Sequence, residues 1–218
     1  MAQQWFVLAG LINAMKVTGK SLKDCKIVIS GAGAAGVAIA KLIHDYSKAN
    51  ITAVDSQGII TENREGLNPE KEYLATLNSI KHKGTSLKDA LKDADIFIGV
   101  SKAGLLDASD IKLMAKDPII FAMANPVPEI MPDVALKAGA AIIATGRSDF
   151  PNQINNVLAF PGIFRGALDN GIKKITEKHK VAAAEALAAI VKNPTADQII
   201  PSPFDKNIVP AIAKVILS

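Results

Sequence analysis

Short apolar segments alternate along the chain with longer segments that have the spacing of amphipathic helices. The apolar segments are rich in branched residues and lie at 26–30, 51–54, 96–100, 119–122 and 141–144. Continuous apolar runs of this length are typical of strands buried on both faces, because a half-exposed strand would alternate. Strands that alternate with helices indicate an α/β protein with a mostly parallel sheet and helices on both faces.

Residues with helical spacing occupy most of the remaining chain. Helices are predicted at 6–15, 34–46, 88–93, 107–114 and 132–137, and again at 162–172, 177–190 and 204–217. The last three are expected to pack back on the sheet as C-terminal helices. Proline and asparagine separate several of these segments, as at Asn125-Pro126.

The composition limits the classes of protein to consider. Of the 218 residues, 49% are hydrophobic, which is enough for a core and excludes intrinsic disorder. The net charge of +4 is spread along the chain, and most lysines lie beside acids, so no nucleic acid partner is expected. The longest apolar run, residues 5–12, is too short to span a membrane. The single cysteine, Cys25, excludes an internal disulfide and predicts a cytoplasmic location.

A glycine-rich motif connects the first predicted strand to the helix that follows it. Residues 31–36 read GAGAAG and match the pattern G-x-G-x-x-G. Gly31 permits the tight turn, Gly33 lets a pyrophosphate approach the backbone, and Gly36 lets the helix pack closely on the strand. The amides at the helix start would then point at the phosphates. The motif in this context predicts a Rossmann-type, doubly wound sheet that binds a dinucleotide.

An acidic residue ends the second predicted strand at the distance from the glycines that dinucleotide binding requires. Asp55 lies roughly 20 residues beyond the last glycine. A carboxylate there accepts hydrogen bonds from the adenosine ribose and repels a 2′-phosphate, which favours NAD over NADP. Ser56 keeps NADP open, because a small hydroxyl accommodates a phosphate if Asp55 turns away. An ordinary loop acid after a strand is the alternative interpretation.

Two later strands are followed by segments rich in amides and hydroxyls. The sequence ANPVPE occupies 124–129, and TGRSDFPNQINN occupies 145–156. Both lie beyond the carboxyl ends of predicted strands, where open parallel sheets bind ligands. An Asn-Pro pair alone is typical of a turn. Together, however, the two segments favour a second part of the binding edge.

These segments, together with VLAFPGIFRGALD at 157–169, resemble the NAD(P)-binding domain of malic enzymes of the small bacterial and archaeal type. The resemblance extends from about Leu8 to the C-terminus. It implies an oxidoreductase that converts malate and NAD(P) to pyruvate, carbon dioxide and NAD(P)H, with Mg²⁺ or Mn²⁺ as the metal. Another Rossmann dehydrogenase would leave the ANPVPE and QINN sequences unexplained.

The resemblance also implies roles for individual residues. Asn125 and Asn156 would bind the substrate near the malate carboxylate and the nicotinamide, with Asn155 beside them. The segment 99–104, which contains Ser101, would run along the ribose side of the cofactor. The predicted cofactor-binding residues are therefore Gly31, Gly33, Ala34, Ala35, Gly36, Asp55, Ser56, Ser101, Asn125 and Asn155.

By the same resemblance, we expect the chain to carry only the cofactor half of the catalyst. In the family, a preceding domain supplies a tyrosine as general acid, a lysine as general base and the acidic metal ligands. Residues 1–5 contain no carboxylate, and Tyr46 and Tyr73 do not match the tyrosine motif of the family. No catalytic or metal-binding residue is assigned, so we expect dinucleotide binding without malate turnover. A non-catalytic dinucleotide-binding or sensing module is the alternative.

The composition marks no internal boundary, so a single domain over residues 1–218 is expected. A lead-in helix would occupy 1–20, the nucleotide-binding core 26–160 and the C-terminal helices 161–218. An apolar lead-in helix without its domain neighbour predicts self-association, and hence a homo-oligomer. Asp149 is either functional or a cap on the next helix, and Cys25 is expected to be a small buried residue.

Overall fold

The centre of the computed structural model, which describes residues 3–154 and 159–217, is a six-stranded sheet. The strands are β1 (Lys26–Ser30), β2 (Asn50–Asp55), β3 (Gly58–Ile59), β4 (Ile96–Gly99), β5 (Ile119–Ala122) and β6 (Ile142–Thr145). Their order is β3-β2-β1-β4-β5-β6, and only the short β3 runs antiparallel to its neighbour. The order reverses between β1 and β4, which confirms the predicted doubly wound sheet.

Helices cover both faces of this sheet. In chain order they are α1 (Gln3–Thr18), α2 (Ala34–Ser47), α3 (Pro69–Thr76), α4 (Leu87–Leu91), α5 (Ala108–Ile111), α6 (Pro132–Ala138), α7 (Ala159–Asp169), α8 (Glu177–Ile190) and α9 (Ile208–Val215). Successive strand residues enter different hydrophobic clusters, because side chains alternate across a strand. Ile27 and Ile29 pack with α1, α2 and α8, whereas Val28 packs with α4, α5 and α6. None of the described helices is long and apolar enough to cross a membrane.

The first helix is buried, so it does not offer the apolar face on which self-association was expected. Phe6 and Leu11 are fully buried, and α1 packs against α2 and α8. Gly10 brings α1 directly onto the sheet, since a Cβ there would lie 3.0 Å from the ring of Phe121. The Asn13 amide donates to the carbonyl oxygens of Ala188 (3.0 Å) and Ile199 (2.9 Å). The C-terminal segment therefore supplies the neighbour that α1 requires.

Two elements near β2, at one edge of the sheet, were not predicted. The short β3 forms a hairpin with β2, and α3 follows it. The start of α3 has recognisable signals, because Asn68 accepts from the Lys71 amide (3.0 Å) and Pro69 occupies the first turn. The sequence pattern did not predict α3, because the helix buries only Leu74 and Ala75 and its apolar periodicity is therefore weak.

Candidate functional site

The turn between β1 and α2 has the geometry that its three glycines predict. Gly31 adopts a φ of +116°, a conformation that L side chains rarely adopt, and a Cβ there would lie 2.9 Å from the Val100 carbonyl oxygen. A Cβ on Gly36 would overlap the carbonyl oxygen of Gly31, so only glycine lets α2 begin this close to the turn. A Cβ on Gly33 would meet nothing within 4 Å, so this position faces open space.

The N-terminus of α2 opens on this space without a capping side chain. Gly33 is the N-cap residue, and no acidic side chain lies in the first turn of the helix. The first amides of a helix have no partner within it, and the helix dipole gives this end a partial positive charge. Ala34 and Ala35, at the start of the helix, therefore present backbone donors to an anion.

A cleft of about 650 Å³ lies at the carboxyl ends of β1, β2 and β4. A volume of this size is typical of cofactor sites. Its lining brings together four of the predicted residues, namely Gly31, Asp55, Ser56 and Ser101. The remaining lining residues are Ser30, Ala32, Val54, Gln57, Gly58, Thr85, Ser86, Leu87, Lys102 and Leu105. Across the switch point, the hydroxyl oxygens of Ser30 and Ser101 lie 3.0 Å apart.

Asp55 is not a solitary carboxylate, because two cations hold it. Arg64 binds it with both terminal nitrogens, Nη1 to Oδ1 at 3.0 Å and Nη2 to Oδ2 at 2.5 Å. Lys71 Nζ donates to Oδ2 at 2.8 Å, and the Gln57 amide donates to Oδ1 at 2.9 Å. Burial acts to raise the pKa of Asp55, but these hydrogen bonds outweigh it and hold the pKa well below its usual range.

Sequence reasoning missed both cations. Arg64 lies in the loop after β3, and Lys71 lies in α3, so each approaches Asp55 from an element that was not predicted. The helix-start signal at Asn68 and Pro69 could have placed Lys71 on a helix near the end of β2. A carboxylate offers about four lone-pair positions. Four donors already fill them here, so any further donor would have to displace one.

The loops after β4 and β5 meet on the other side of the switch point. Two residues, Met123 and Ala124, separate Asn125 from the end of β5. Asn125 is exposed, and its peptide bond to Pro126 is cis. Asn155 and Asn156 lie outside the residues that the structure describes. The residues before them run along β6, where the Ile154 amide donates to the Thr145 carbonyl oxygen at 2.8 Å.

A buried carboxylate lies beneath these loops. Glu129 is fully buried, and its Oε1 accepts from the Ser101 amide at 3.1 Å while its Oε2 accepts from the Ala124 amide at 2.9 Å. Burial raises the pKa of Glu129, and hydrogen bonds from the backbone amides of Ala124, Ser101 and Glu129 itself only partly oppose this rise. Sequence reasoning quoted this residue as the last letter of ANPVPE and gave it no role.

Other polar residues of this edge serve packing and loop geometry. Asp149 pairs with Arg147 (2.8 and 2.7 Å), and Arg147 Nη1 donates to the Pro126 carbonyl oxygen at 2.9 Å. Asp149 therefore orients an arginine over the Asn125 loop.

Cys25 is buried as expected, and burial raises its pKa to about 11. Among the described residues, no group of three or more His, Cys, Asp or Glu side chains is arranged to hold a metal.

The strand order, the glycine turn and the acid at the end of β2 define a Rossmann-type dinucleotide-binding fold. The family model "Malic enzyme, NAD binding domain" matches residues 4–215, so the chain belongs to this family. The bifunctional malic/malolactic enzyme of Bacillus subtilis is 55% identical over 212 residues, which cover 96% of this chain and 52% of that protein. The NAD-dependent malic enzyme of Geobacillus stearothermophilus is 47% identical and covers 97% of this chain and 44% of its own length.

Solved structures show the same relationship. The NAD-dependent malic enzyme of Thermotoga maritima superimposes with a TM-score of 0.93 at 42% identity, covering 99% of this chain and 57% of that one. The malic enzyme of Pyrococcus horikoshii superimposes with a TM-score of 0.94 at 40% identity, covering 99% of this chain and 52% of that one. The chain thus spans about half the length of these relatives.

Proposed function

We propose that this chain is the cofactor-binding half of a malic enzyme, which converts malate and NAD(P) to pyruvate, carbon dioxide and NAD(P)H. The observation that carries the proposal is the glycine turn between β1 and α2. An uncapped helix start, open space at Gly33 and a cleft of about 650 Å³ lie together at the switch point. Family membership supports malate as the substrate.

Each half of the dinucleotide has its own residues in this proposal. The amides at 33–36 hold the pyrophosphate, while Asp55 and Ser56 face the adenosine ribose. Ser101 and Asn125 then lie along the nicotinamide half, because they follow strands on the other side of the switch point. When it is bound, the dinucleotide supplies the hydride acceptor.

Amide side chains are proposed to orient the substrate. An amide binds a carboxylate and a carboxamide by hydrogen bonds without adding charge. Asn125 is exposed at the end of β5, where it is available to malate. The family resemblance gives Asn156 the same role and places Asn155 at the cofactor.

The proposed cofactor is NAD, with NADP accepted less well. Asp55 favours the free ribose hydroxyls of NAD, as the sequence predicts. Arg64 and Lys71 reduce this preference, because both are cations that can turn from Asp55 to a 2′-phosphate. The buried Nε of Arg64 has no hydrogen-bond partner among the described residues, so turning this side chain toward a phosphate breaks no hydrogen bond of that atom. Similar proteins are named both NAD-dependent and NADP-dependent malic enzymes.

The proton transfers and the metal are proposed to use groups outside these 218 residues. The residues present do not fit a divalent metal, since no suitable ligand group occurs in the described part of the chain. No step proposed for this chain therefore involves a metal. What these residues do is bind the dinucleotide, hold its two halves and orient the malate carboxylate.

Calorimetry of the 218-residue chain with NAD and NADP tests the cofactor part of this proposal. We expect both to bind, NAD more tightly, and the absence of binding by either at about 1 mM would overturn the proposal. Malate turnover tests the second part. NADH formation with malate, NAD and Mn²⁺ should stay below about one per cent of the rate of an intact malic enzyme, a deficit of about 3 kcal/mol in the barrier.

Homo-oligomer formation and a cytoplasmic location also remain proposals. With α1 buried, the apolar side chains that favour self-association are on the C-terminal helices and the loop before α9, where Leu168 is 80% and Phe204 92% exposed. Light scattering would detect it, and a monomer at high concentration would refute it. The buried thiol of Cys25 suits a reducing compartment.

A further inference from the structure

Glu129 connects the loops that follow two neighbouring strands, β4 and β5. One carboxylate oxygen accepts from the backbone of Ser101, after β4, and the other accepts from the backbone of Ala124, after β5. The donors are 23 residues apart in sequence (124 − 101), so no local turn joins them. A single side chain thus links the two loops just beyond the paired ends of β4 and β5.

The surroundings of Glu129 are built to hold it in place. A Cβ on Gly99 would overlap the Glu129 carboxyl group, so the last residue of β4 has to be glycine while the carboxylate is there. The main chain adds two more links, because the Gly104 amide donates to the Pro128 carbonyl oxygen (3.0 Å) and the Leu106 amide donates to that of Glu129 (2.9 Å). The loop after β4 is therefore attached to residues 128–129 along its length.

We propose that Glu129 is a positioning residue that sets the nicotinamide side of the cleft by holding the Ser101 loop against the Asn125 loop. This inference rests on the proposed function, since it assumes that the dinucleotide lies across both loops. Glu129 does not itself face the cleft, because it is fully buried and does not belong to the cleft lining. It acts only through the backbone of its two neighbours.

Both terminal atoms of the side chain at position 129 have to be hydrogen-bond acceptors, because each of them meets a backbone N–H group. Two backbone N–H groups point at the carboxyl, and a carboxylate accepts both. Glutamine has the same shape, but its amide nitrogen would face one of the two N–H groups, donor against donor. Glu129→Gln therefore releases one loop while filling the same volume.

The test compares two ligands, NAD and ADP, by calorimetry on the full chain. ADP contains the adenosine and phosphate parts but lacks the nicotinamide half. We expect Glu129→Gln to weaken the binding of NAD about tenfold more than the binding of ADP, a difference of about 1.4 kcal/mol. A purely structural role would weaken both ligands equally, and an unchanged ratio of the two dissociation constants would overturn the inference.

Two more variants make the test independent of folding defects. Gly99→Ala displaces the same carboxyl group without removing it, so it should change the NAD-to-ADP ratio in the same direction. Asp110→Asn is the matched control, because Asp110 is also buried and accepts a backbone amide (Asp107, 2.9 Å) but is not part of the cleft lining. It should lower the Tm and leave the ratio unchanged.

These results separate the inference from the proposed function. If the unmodified chain binds neither NAD nor ADP, the proposed function fails. If it binds both, and Glu129→Gln and Gly99→Ala keep the unmodified ratio, only the positioning role of Glu129 fails.

Discussion

Asp55, in the lining of the cleft, and Glu129, buried behind the lining residue Ser101, are carboxylates that the protein stabilises by different means. Asp55 is partly accessible, with 10% of its side chain exposed, and receives donors from the side chains of Arg64 and Lys71. Glu129 is fully buried and receives donors from two backbone amides. The pKa of Asp55 is held below its usual range, whereas that of Glu129 is raised, because cations compensate the first charge and burial dominates at the second.

This contrast separates an adjustable region from a fixed one. Long cationic side chains can move from one anion to another, so Arg64 and Lys71 can exchange a carboxylate for a phosphate as partner. Backbone amides in strand-end loops cannot move without displacing the strands. We therefore expect substitutions at the Asp55 end to change which cofactor binds, and substitutions at the Glu129 end to change how well the nicotinamide half is held.

The largest effect is expected at the turn that both regions share. In Gly36→Ala, alanine would favour the helix by about 1 kcal/mol. The overlap of its Cβ with the Gly31 carbonyl oxygen outweighs this, because it forces α2 away from the turn. NAD and ADP should both lose affinity by about 100-fold or more, which is about 2.7 kcal/mol. Calorimetry with each ligand measures the loss.

Gly33→Ala is the matched control for this substitution. Its Cβ would enter open space, so the Tm should remain close to that of the unmodified chain while the affinity for both ligands falls about tenfold. If Gly36→Ala bound NAD as the unmodified chain does, close packing at the turn would not be what forms the site.

The second effect concerns the choice between NAD and NADP at the adjustable end. Asp55→Asn removes the negative charge and releases Arg64 and Lys71, so the affinity for NADP should rise relative to the affinity for NAD. Arg64→Ala removes a phosphate partner and frees Asp55 for the ribose, so NAD should gain relative to NADP. Each change in the ratio should be about tenfold, in the range of one charge-assisted hydrogen bond.

Arg165→Ala provides the control for the loss of an arginine. Arg165 pairs with Asp169 on the exposed surface of α7 at 2.7 Å, and this variant should leave the ratio unchanged. Dissociation constants for NAD and NADP, measured at one ionic strength, are the readout. If Asp55→Asn and Arg64→Ala changed the ratio of the NAD and NADP dissociation constants in the same direction, the proposed exchange of partners would be contradicted.

The smallest effect is a pair of opposite pH dependences in stability. The pKa of Asp55 is lower in the folded chain than its ordinary 3.8, so its stabilisation is complete above that pH and is lost as the pH falls. The pKa of Glu129 is higher in the folded chain than its ordinary 4.5, so stability falls as the pH rises from 4.5 through the folded pKa.

Thermal unfolding between about pH 3 and pH 7 checks these signs. The Tm difference between the unmodified chain and Asp55→Asn should shrink toward low pH. The difference from Glu129→Gln should shrink toward high pH. Parallel curves for either variant would show that its carboxyl group has the same pKa in the folded and unfolded chain.

Sequence patterns predicted the fold well where the signal is local. The bounds of β1 and β5 match the predicted segments. β4 differs by one residue at one end, and β2 and β6 differ by one residue at both ends. The geometry of the glycine turn was also predictable, because the positive φ of Gly31 and the missing Cβ of Gly36 follow from the residue type. The exposed helix α3 was missed, since it buries too little to produce an apolar period.

The partners of the candidate site could not be predicted in the same way. Arg64 and Lys71 approach Asp55 from a loop and a helix whose positions depend on how the chain turns after β3. Glu129 joins the ends of two strands, and the burial of α1 depends on α8 and residues as distant as Ile199. Lys71 follows a helix-start signal and Glu129 ends the ANPVPE segment, but neither pattern indicates which distant group the side chain contacts.

The amino-acid sequence by itself determined the layered α/β sheet, the glycine turn and the family. Strand burial, helix periodicity and the freedom of glycine act over a few residues, so the local order of side chains is enough to fix them. Only the tertiary structure decided what surrounds each carboxylate and what covers the first helix. Charge compensation and burial depend on side chains brought together across the whole chain, and these set the electrostatics of the cleft.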